Sequence, residues 1–268
     1  MHWSANLNSS TAISAVIPAY REESTIERAI TTVAKALDEI GEPYEILVVD
    51  NASPDSTAEI ARAARESLPV RVLENDRNRG KGFSVRRGIL ASRGTWRFFY
   101  DADLSTHPSE IARFWEIANS GPHDVLVGSR LAHGANVARM QPLGRRLAGR
   151  LMLTVSHSLF GRLTDDIFCG YKWFRGDAAD QVFADTKATG WVFDLEVLAL
   201  AAADGYHVLE VPIEWENHED TRLNMSRDWI AIGLEMLKIK WNLRRSAARV
   251  VLAPPLTDRP PVSPTSTG

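Results

Sequence analysis

WRFFYDADL, residues 96–104, joins a short apolar run to two aspartates that are separated by one residue. The run is rich in aromatic side chains, a composition typical of a buried β-strand. Asp101 and Asp103 stand where the chain would leave that strand. Two carboxylates placed in this way can reach one hard cation, and Mg²⁺ or Mn²⁺ bound so takes its remaining ligands from water and substrate phosphates. On its own, an Asp-X-Asp sequence is more often a solvated acidic turn.

The sequence on both sides of this stretch alternates between apolar runs and amphipathic segments. Short apolar runs predict strands, and apolar side chains at three- and four-residue steps predict helices. Strands separated by helices imply crossover connections, so we expect an α/β fold with a mostly parallel, doubly wound sheet flanked by helices. The predicted strands are 12–17, 45–49, 69–73, 96–100, 125–127, 171–175 and 208–211, and the predicted helices are 24–40, 53–66, 82–92, 108–119, 144–160, 192–203 and 228–249.

Two of the predicted helices carry local start signals. Ser24 and Glu27 have the spacing of a capping box, which predicts a helix that begins at Ser24. Ser53 followed by Pro54 has the form of an N-cap with proline at the first helical position. Pro18, in contrast, is expected to end the first strand.

Composition excludes several classes of protein. The 268 residues include 31 Lys+Arg and 34 Asp+Glu, a balance that argues against a nucleic-acid partner. Cys169 is the single cysteine, which allows neither an internal disulfide nor a cysteine-rich zinc site. The chain shows no apolar run near the ~20 residues of a membrane span and no secretory signal at its start. We therefore expect a cytoplasmic protein.

The predicted domain organisation has one globular unit with extensions. Residues 1–11 are short and polar, and residues 251–268 are rich in proline, so both are predicted to be flexible or disordered. Residues 12–226 should form the α/β domain, and residues 227–250 an amphipathic C-terminal helix.

Polar residues follow the predicted strands where ligands bind in such sheets, beyond the carboxyl ends. These are residues 18–22 after the first strand, Asp50 after the second, and Asp101 and Asp103 after the fourth. Residues 78–82, Asn-Arg-Gly-Lys-Gly, precede a helix whose N-terminus could face a phosphate. They form neither a GxxxxGK[ST] loop nor a dinucleotide fingerprint, because the required glycines are missing.

Eight segments along the chain form a series in order and spacing. They are VIPAYREE (16–23), VVDNASPDST (48–57), NRGKGFSVRRGILASRG (78–94), FYDADLST (99–106), VGSR (127–130), DIFCGYKWF (166–174), GWVFDLEVL (190–198) and EVPIEW (210–215). This series resembles the family 2 glycosyltransferases with the GT-A fold, over about residues 12 to 245. Within that family it is similar to the dolichyl-phosphate glucosyltransferase and dolichyl-phosphate mannose synthase group, and it leans toward the glucosyltransferases.

The resemblance implies a nucleotide-sugar donor, a divalent cation (Mg²⁺ or Mn²⁺) and an acceptor that carries phosphate. It implies nucleotide or phosphate contacts from Pro18, Ala19, Tyr20, Glu22, Asp50, Lys81 and Arg222, a metal site at Asp101-Ala102-Asp103, and groups near the reacting centre at Arg130, Arg145 and Asp166. The chain departs from the family pattern at three positions. Arg21 replaces a usual Asn, Asn51 replaces a second Asp, and Leu104 stands where the glucosyltransferases often carry Gly.

The favoured function is an inverting, metal-dependent transfer of a hexose from UDP-glucose or a related donor to a polyprenyl phosphate. The main alternative is transfer to a small hydroxyl acceptor, for which Asp166 would serve as the general base. A sugar-phosphate nucleotidyltransferase would need a glycine-rich loop after the first strand, where this chain has Pro-Ala-Tyr-Arg-Glu-Glu. A non-catalytic sugar-nucleotide-binding module is disfavoured by the aspartates that have been retained.

Several other residues admit a structural or a functional interpretation. Trp191, Phe193 and Leu195 are compatible with plain core, whereas Asp194 and Glu196 are equally compatible with facing an acceptor. Cys169 is expected to be a small core residue. The histidines lack zinc-binding spacing. The C-terminal helix mixes apolar side chains with five basic residues between Lys238 and Arg249, which suits either a solvated face or a peripheral contact with the inner membrane surface.

Overall fold

A computed structural model describes residues 10–139, 143–216 and 232–243. The strands are β1 (Ile13–Ala19), β2 (Tyr44–Asp50), β3 (Val70–Glu74), β4 (Trp96–Phe99), β5 (Val125–Ser129), β6 (Asn136–Arg139), β7 (Lys172–Arg175), β8 (Val208–Pro212) and β9 (Glu214–Glu216). The helices are α1 (Ile26–Ile40), α2 (Thr57–Ala63), α3 (Lys81–Ala91), α4 (Ser109–Ser120), α5 (Leu143–Phe160), α6 (Gly176–Asp185) and α7 (Phe193–Ala203). Residues 232–243 are also helical.

The central sheet has seven strands in the order β3-β2-β1-β4-β7-β5-β8, and the expected mostly parallel arrangement is confirmed. Strand β7 is the exception, because it runs antiparallel to both β4 and β5. Its first residue, Lys172, pairs with Phe99 near the carboxyl end of β4. The antiparallel strand therefore brings residues 166–171 beside the two aspartates that follow β4.

Helices cover both faces of this sheet, as a doubly wound fold requires. Helices α1, α2 and α4 contribute to one apolar cluster, in which Ile30, Val33 and Phe114 are fully buried. Helices α3, α6 and α7 and the 232–243 helix contribute to the cluster on the other face. A second sheet pairs β6 with β9 beside the loop that follows β4.

The structure corrects the predicted start of two helices. Helix α1 begins at Ile26 after Thr25, with no side-chain cap, so the capping box predicted at Ser24 and Glu27 does not form. Helix α2 begins at Thr57 rather than at Pro54. At the second helix the reason is that Ser53, the predicted N-cap, is engaged across the loops after β1 and β2. Arg21 donates its backbone N–H to Ser53 Oγ at 3.0 Å.

Other sequence predictions differ in extent. Pro18 does not end β1, which continues through Ala19 opposite Asp50. A proline can remain in a strand where the ladder does not need its N–H. Helix α6 and the small strands β6 and β9 were absent from the sequence prediction. Each strand has only three or four residues, too few for a clear periodicity.

The predicted C-terminal helix over 228–249 is observed only in part, since the structure describes residues 232–243 of it. Residues 1–9 and 251–268, for which disorder was predicted, lie outside the described residues. Among the described residues, no helix combines the length and the apolar character needed to cross a bilayer.

Candidate active site

Strands β1, β2 and β4 are neighbours in the sheet, and the loops that follow their carboxyl ends meet at one edge. The loops share an unusual backbone. Among the described residues, the three non-glycine residues with positive φ are Arg21 (57°), Ala52 (57°) and Leu104 (59°), one in each loop. Such conformations are uncommon for residues with a side chain and cluster at functional sites. The left-handed backbone at Leu104 is one that glycine adopts without strain, which fits the glycine that the resemblance leads one to expect at this position.

Asp101 and Asp103 lie together in the loop after β4. Asp103 is half-buried and accepts a hydrogen bond from the Ser105 N–H at 2.9 Å. Burial, and next the negative charge of Asp101, raise the pKa of Asp103 above its usual range. Two carboxylates in this setting repel each other, so the pair favours a bound cation.

One cation of the chain already contacts Asp101, the first member of the pair. Lys81 Nζ lies 2.6 Å from Oδ1 and 2.9 Å from Oδ2 of Asp101. Although burial opposes the charged form, Asp101, Asp194 and Asp103 hold the pKa of Lys81 above its usual value. The Lys81 side chain is 15% exposed, and its ammonium lies 5.6 Å from the centre of the Trp191 ring.

The position of Lys81 depends on close backbone packing. It is the first residue of α3, and Gly80 before it has φ of 91°. A Cβ on Gly80 would lie 2.3 Å from the Thr189 carbonyl oxygen, which no side chain can tolerate. Glycine at this position therefore lets α3 begin directly under residues 189–191.

The two aspartates fit a divalent cation of the Mg²⁺ or Mn²⁺ type. Among the described residues, no three His, Cys, Asp or Glu side chains converge in a way that could enclose a metal ion. A cation at Asp101 and Asp103 would therefore keep positions for water or substrate oxygens, the arrangement that Mg²⁺ prefers. Space beside the pair is kept by Gly170, where a Cβ would lie 2.3 Å from Asp101 Oδ2.

Asp166 lies at the same edge of the sheet and is paired with Arg130. Asp166 accepts hydrogen bonds from Nε and Nη2 of Arg130, both at 2.7 Å, and from the Arg130 backbone N–H at 2.9 Å. Burial alone would raise the pKa of Asp166, but the Arg130 guanidinium holds it below its usual range. Asp166 is therefore ionised and a weak proton acceptor.

Residues that the sequence analysis did not single out support this pair. Glu210, on β8, accepts the backbone N–H groups of Asp165 at 2.8 Å and Asp166 at 3.0 Å. The Arg130 guanidinium lies 5.2 Å from the centre of the Trp215 ring. Glu210 and Trp215 both belong to the segment EVPIEW. The sequence therefore identifies the segment but does not predict its contacts with Asp166 and Arg130.

The loops after β1 and β2 carry polar groups suited to a nucleotide. Asp50 is 2% exposed, and its Oδ2 accepts the Ser53 N–H at 3.0 Å. Its Oδ1 is buried and has no hydrogen-bond partner among the described residues. A buried carboxylate oxygen without a partner retains the capacity to accept a hydrogen bond from a ligand or from water. Asn51 accepts from Asn75 Nδ2 and from the Arg79 N–H, both at 2.9 Å, and so ties β2 to the loop before Lys81.

The other described residues predicted to contact the nucleotide or the reacting centre lie at strand ends, in loops and at the start of α5. Pro18 and Ala19 are the last two residues of β1, and Tyr20 follows them. The Glu22 N–H donates to Thr57 Oγ1 at 2.8 Å. Ala102 is buried between the two aspartates. Arg145 lies near the start of α5, and Arg222 lies outside the described residues. The loops thus bring together Asp50, Lys81, Asp101, Asp103, Arg130 and Asp166 at one edge.

The acids on α7 do not face an open site. Asp194 pairs with Lys172, and both side chains are almost fully buried. Glu196 accepts the Lys187 backbone N–H at 2.7 Å and so closes a turn. Phe193 and Leu195 are buried in the core, as the structural interpretation of these residues predicts. Trp191 is not a core residue, because it is 45% exposed. Cys169 is buried, which raises the pKa of its thiol to about 12 and fits a core residue.

A sequence profile described as glycosyl transferase family 2 matches residues 14–183, more than half of the chain. The chain is 32% identical over 237 residues to a dolichyl-phosphate beta-glucosyltransferase of Trichomonas vaginalis, covering 84% of this chain and 69% of that protein. It is 30% identical over 237 residues to the glycosyltransferase AglD of Haloferax volcanii, covering 86% of this chain but only 37% of that longer protein.

Solved structures give the same fold. Glucosyl-3-phosphoglycerate synthase from Mycobacterium tuberculosis, in complex with Mn²⁺, UDP and phosphoglyceric acid, superposes with a TM-score of 0.64 at 22% identity, over 84% of this chain and 78% of that chain. At this identity the similarity establishes the GT-A fold alone. Together with the profile match, it shows that this chain is an enzyme of glycosyl transferase family 2.

Proposed function

We propose that this enzyme transfers a hexose, with inversion, from a nucleotide-sugar to a polyprenyl phosphate, with UDP-glucose as the donor and Mg²⁺ or Mn²⁺ as the metal. The relatives described as dolichyl-phosphate beta-glucosyltransferases support both the sugar and the acceptor. The solved neighbours that contain UDP with Mn²⁺ or Mg²⁺ support the nucleotide and the metal.

The donor would lie across the loops after β1, β2 and β4. Asp50 Oδ1 is available to a base or ribose donor, and Lys81 lies within reach of the diphosphate side of the site. Asp101 and Asp103 would hold the cation, which neutralises the diphosphate and makes it a better leaving group. The excess negative charge of these two aspartates is what makes the site selective for a cation.

The pairing of Asp166 with Arg130 is the observation that carries the choice of acceptor. A hydroxyl nucleophile needs a general base, and a lowered pKa with three accepted hydrogen bonds makes Asp166 a poor one. A phosphate monoester has a second pKa of about 6 and is already largely ionised at neutral pH. It needs positioning and charge compensation instead, which the Nη1 group of Arg130 could provide.

A small hydroxyl acceptor is the second candidate. It is favoured by one structural likeness, since several solved neighbours are described as glucosyl-3-phosphoglycerate synthase. For such an acceptor Asp166 would have to leave Arg130 before it could take a proton. The two acceptor classes therefore predict different behaviour for the same aspartate.

The surface around α5 and the 232–243 helix suits a lipid-borne acceptor. Leu147 and Leu151 on α5 are 64% and 54% exposed, and Leu237 and Trp241 on the other helix are 56% and 58% exposed. Lys240 donates to the Leu159 carbonyl oxygen, so the two helices are neighbours. Exposed apolar side chains beside basic ones are typical of contact with an anionic bilayer surface. We propose that this surface contacts the membrane peripherally.

Transfer of label from UDP-[¹⁴C]glucose tests the function directly. The purified protein is incubated with Mn²⁺ and either a polyprenyl phosphate, the matching polyprenol, or 3-phosphoglycerate. We expect labelled product with the polyprenyl phosphate and none with the polyprenol. Labelled glucosylphosphoglycerate as the main product would replace the lipid proposal with the small-acceptor one, and hydrolysis of the donor without any transfer would contradict both.

Co-sedimentation with vesicles tests the membrane contact. We expect the protein to pellet with anionic vesicles at low salt and to be released at high salt, because basic side chains contribute about 1 kcal/mol each at an anionic surface. The double variant Leu237→Ser, Trp241→Ser should pellet less than wild type, and Leu90→Ser, a change at an exposed leucine on α3, serves as the control. Wild type that stays in the supernatant at low salt would exclude the contact.

A further inference from the structure

Lys81 occupies the place from which Asp101 would bind a cation. Its ammonium contacts both carboxylate oxygens of Asp101, and Asp103 is close enough to act on it electrostatically. The metal and the lysine therefore compete for the same carboxylate. This inference rests on the proposed metal-dependent function and concerns how the site is filled.

The competition has a physical consequence because Lys81 is largely buried. If a divalent metal ion took Asp101, the Lys81 ammonium would lose its carboxylate partner. It would then lie in a poorly solvated place beside the double positive charge of the metal ion, which is unfavourable. Asp194 cannot fully replace Asp101, since it is already paired with Lys172. A diphosphate that entered the site would offer Lys81 a new anionic partner and release Asp101.

We infer that Lys81 couples the two ligands: it opposes the metal ion when the site holds no nucleotide, and it moves from Asp101 to the diphosphate when the nucleotide binds. Metal and nucleotide then each tighten the binding of the other by the same factor, as thermodynamic linkage requires. The device keeps the metal from occupying the site without a donor. A neutral residue at position 81 would remove that opposition.

The test measures Mn²⁺ binding, by electron paramagnetic resonance of the free ion, with and without UDP. The variants are Lys81→Met and Lys81→Gln, and the control is Lys35→Met, at an exposed lysine on α1. Without UDP, we expect both Lys81 variants to bind Mn²⁺ at least about fivefold more tightly than wild type, the lower end of typical coupling between sites. The tightening caused by UDP should shrink in the same variants and stay unchanged in Lys35→Met.

Labelling of the unmodified protein gives a second measurement that does not depend on the folding of a variant. Acetylation of Lys81, read by mass spectrometry, should increase with Mn²⁺ alone and decrease when UDP is added, whereas Lys35 should not respond. Lys81 variants that bind Mn²⁺ no more tightly than wild type, or labelling that ignores Mn²⁺, would overturn the inference while leaving the proposed function intact. Wild type that binds no Mn²⁺ even with UDP would instead overturn the proposed function and this inference with it.

Discussion

Two acidic clusters at one edge of the sheet, the buried Asp166 and the half-buried pair Asp101 and Asp103, differ in how their charge is balanced. Asp166 has one matched partner in Arg130, with three hydrogen bonds between them. Asp101 and Asp103 share one ammonium, that of Lys81. The pKa of Asp166 is lowered by its partner, whereas the pKa of Asp103 is raised by burial and by Asp101.

This difference in charge balance distinguishes Asp166, whose pairing stabilises the fold, from Asp101 and Asp103, whose excess charge favours a ligand. A matched buried pair is complete within the chain, and removing one partner exposes the other to the full cost of an unpaired charge. An unmatched pair carries a net negative charge that destabilises the free protein and favours a cation. Function-specific groups often reduce stability in this way.

Asp103→Asn should produce the largest effect on activity. The amide keeps the shape and the hydrogen bond from Ser105 but loses the charge that attracts the cation, so we expect turnover to fall by at least about 10²-fold. EDTA should do the same to the wild type. The rate of label transfer from UDP-[¹⁴C]glucose measures both.

The exposed acid Asp185 on α6 provides the control for this change, and Asp185→Asn should retain wild-type turnover. Full activity of the wild type in EDTA would show that the unmatched pair does not serve a metal, and the contrast between the two clusters would lose its functional meaning.

Asp166→Asn should produce the largest effect on stability. It leaves the Arg130 guanidinium without its counter-ion, which costs about 3 kcal/mol of unfolding free energy. Denaturant unfolding measures this cost, and Asp165→Asn, at the neighbouring and more exposed acid, should change stability much less. A loss as small as that of the control would mean that the pair is not a stabilising one.

The activity of Asp166→Asn sharpens the same comparison. With a polyprenyl phosphate we expect measurable transfer to remain, because the nucleophile is already ionised. If Asp166 were a general base for a hydroxyl, the loss would be about 10²–10⁴-fold and would be partly rescued at high pH. That outcome would favour the small acceptor.

The two clusters should respond to pH in opposite directions. The raised pKa of Asp103 means that its charge destabilises the fold above the ordinary value of 3.8, so Asp103→Asn should melt above wild type at neutral pH. That difference should close as the pH falls through the raised pKa toward 3.8. The lowered pKa of Asp166 means that its stabilisation is lost only below 3.8. Thermal melts between pH 8 and pH 3 should therefore show two separate events as the pH falls. The difference in melting temperature between Asp103→Asn and wild type should close at a higher pH than the difference between Asp166→Asn and wild type. If both differences closed at the same pH, the opposite pKa shifts of the two aspartates would be contradicted.

Glu210→Gln should produce the smallest effect. The amide oxygen can still accept one of the two N–H groups of Asp165 and Asp166, so we expect a loss of about 1 kcal/mol. Activity should fall through a looser placement of Asp166 and so of Arg130, the group proposed to position the acceptor phosphate. Glu210→Asp, which keeps the charge but shortens the reach, should lose a similar amount; unchanged unfolding midpoints in both variants would show that β8 does not position the pair.

Much of this molecule could be predicted from its sequence. The buried strand before Asp101, the alternation of strands and helices and the resemblance of eight segments led to the fold and the family that the structure and the comparisons confirm. These features are local or periodic, and a periodic pattern can be read without knowing what packs against it. Helix starts were less predictable, because Ser53 binds the loop after β1 instead of capping a helix.

The sequence by itself determined which residue types follow each strand and that parallel strands would gather them at one edge. Only the tertiary structure decided how those residues share charge. Antiparallel β7 brings Lys172, and Gly170 shortly before it, to the end of β4, and Glu210 on β8 holds the loop of Asp166. The partners Arg130 and Asp166 are 36 positions apart, and Lys81 and Asp101 are 20 apart. Pairing over such distances depends on which strands become neighbours, so whether an aspartate is neutralised or left for a cation is set by the fold and not by its local sequence.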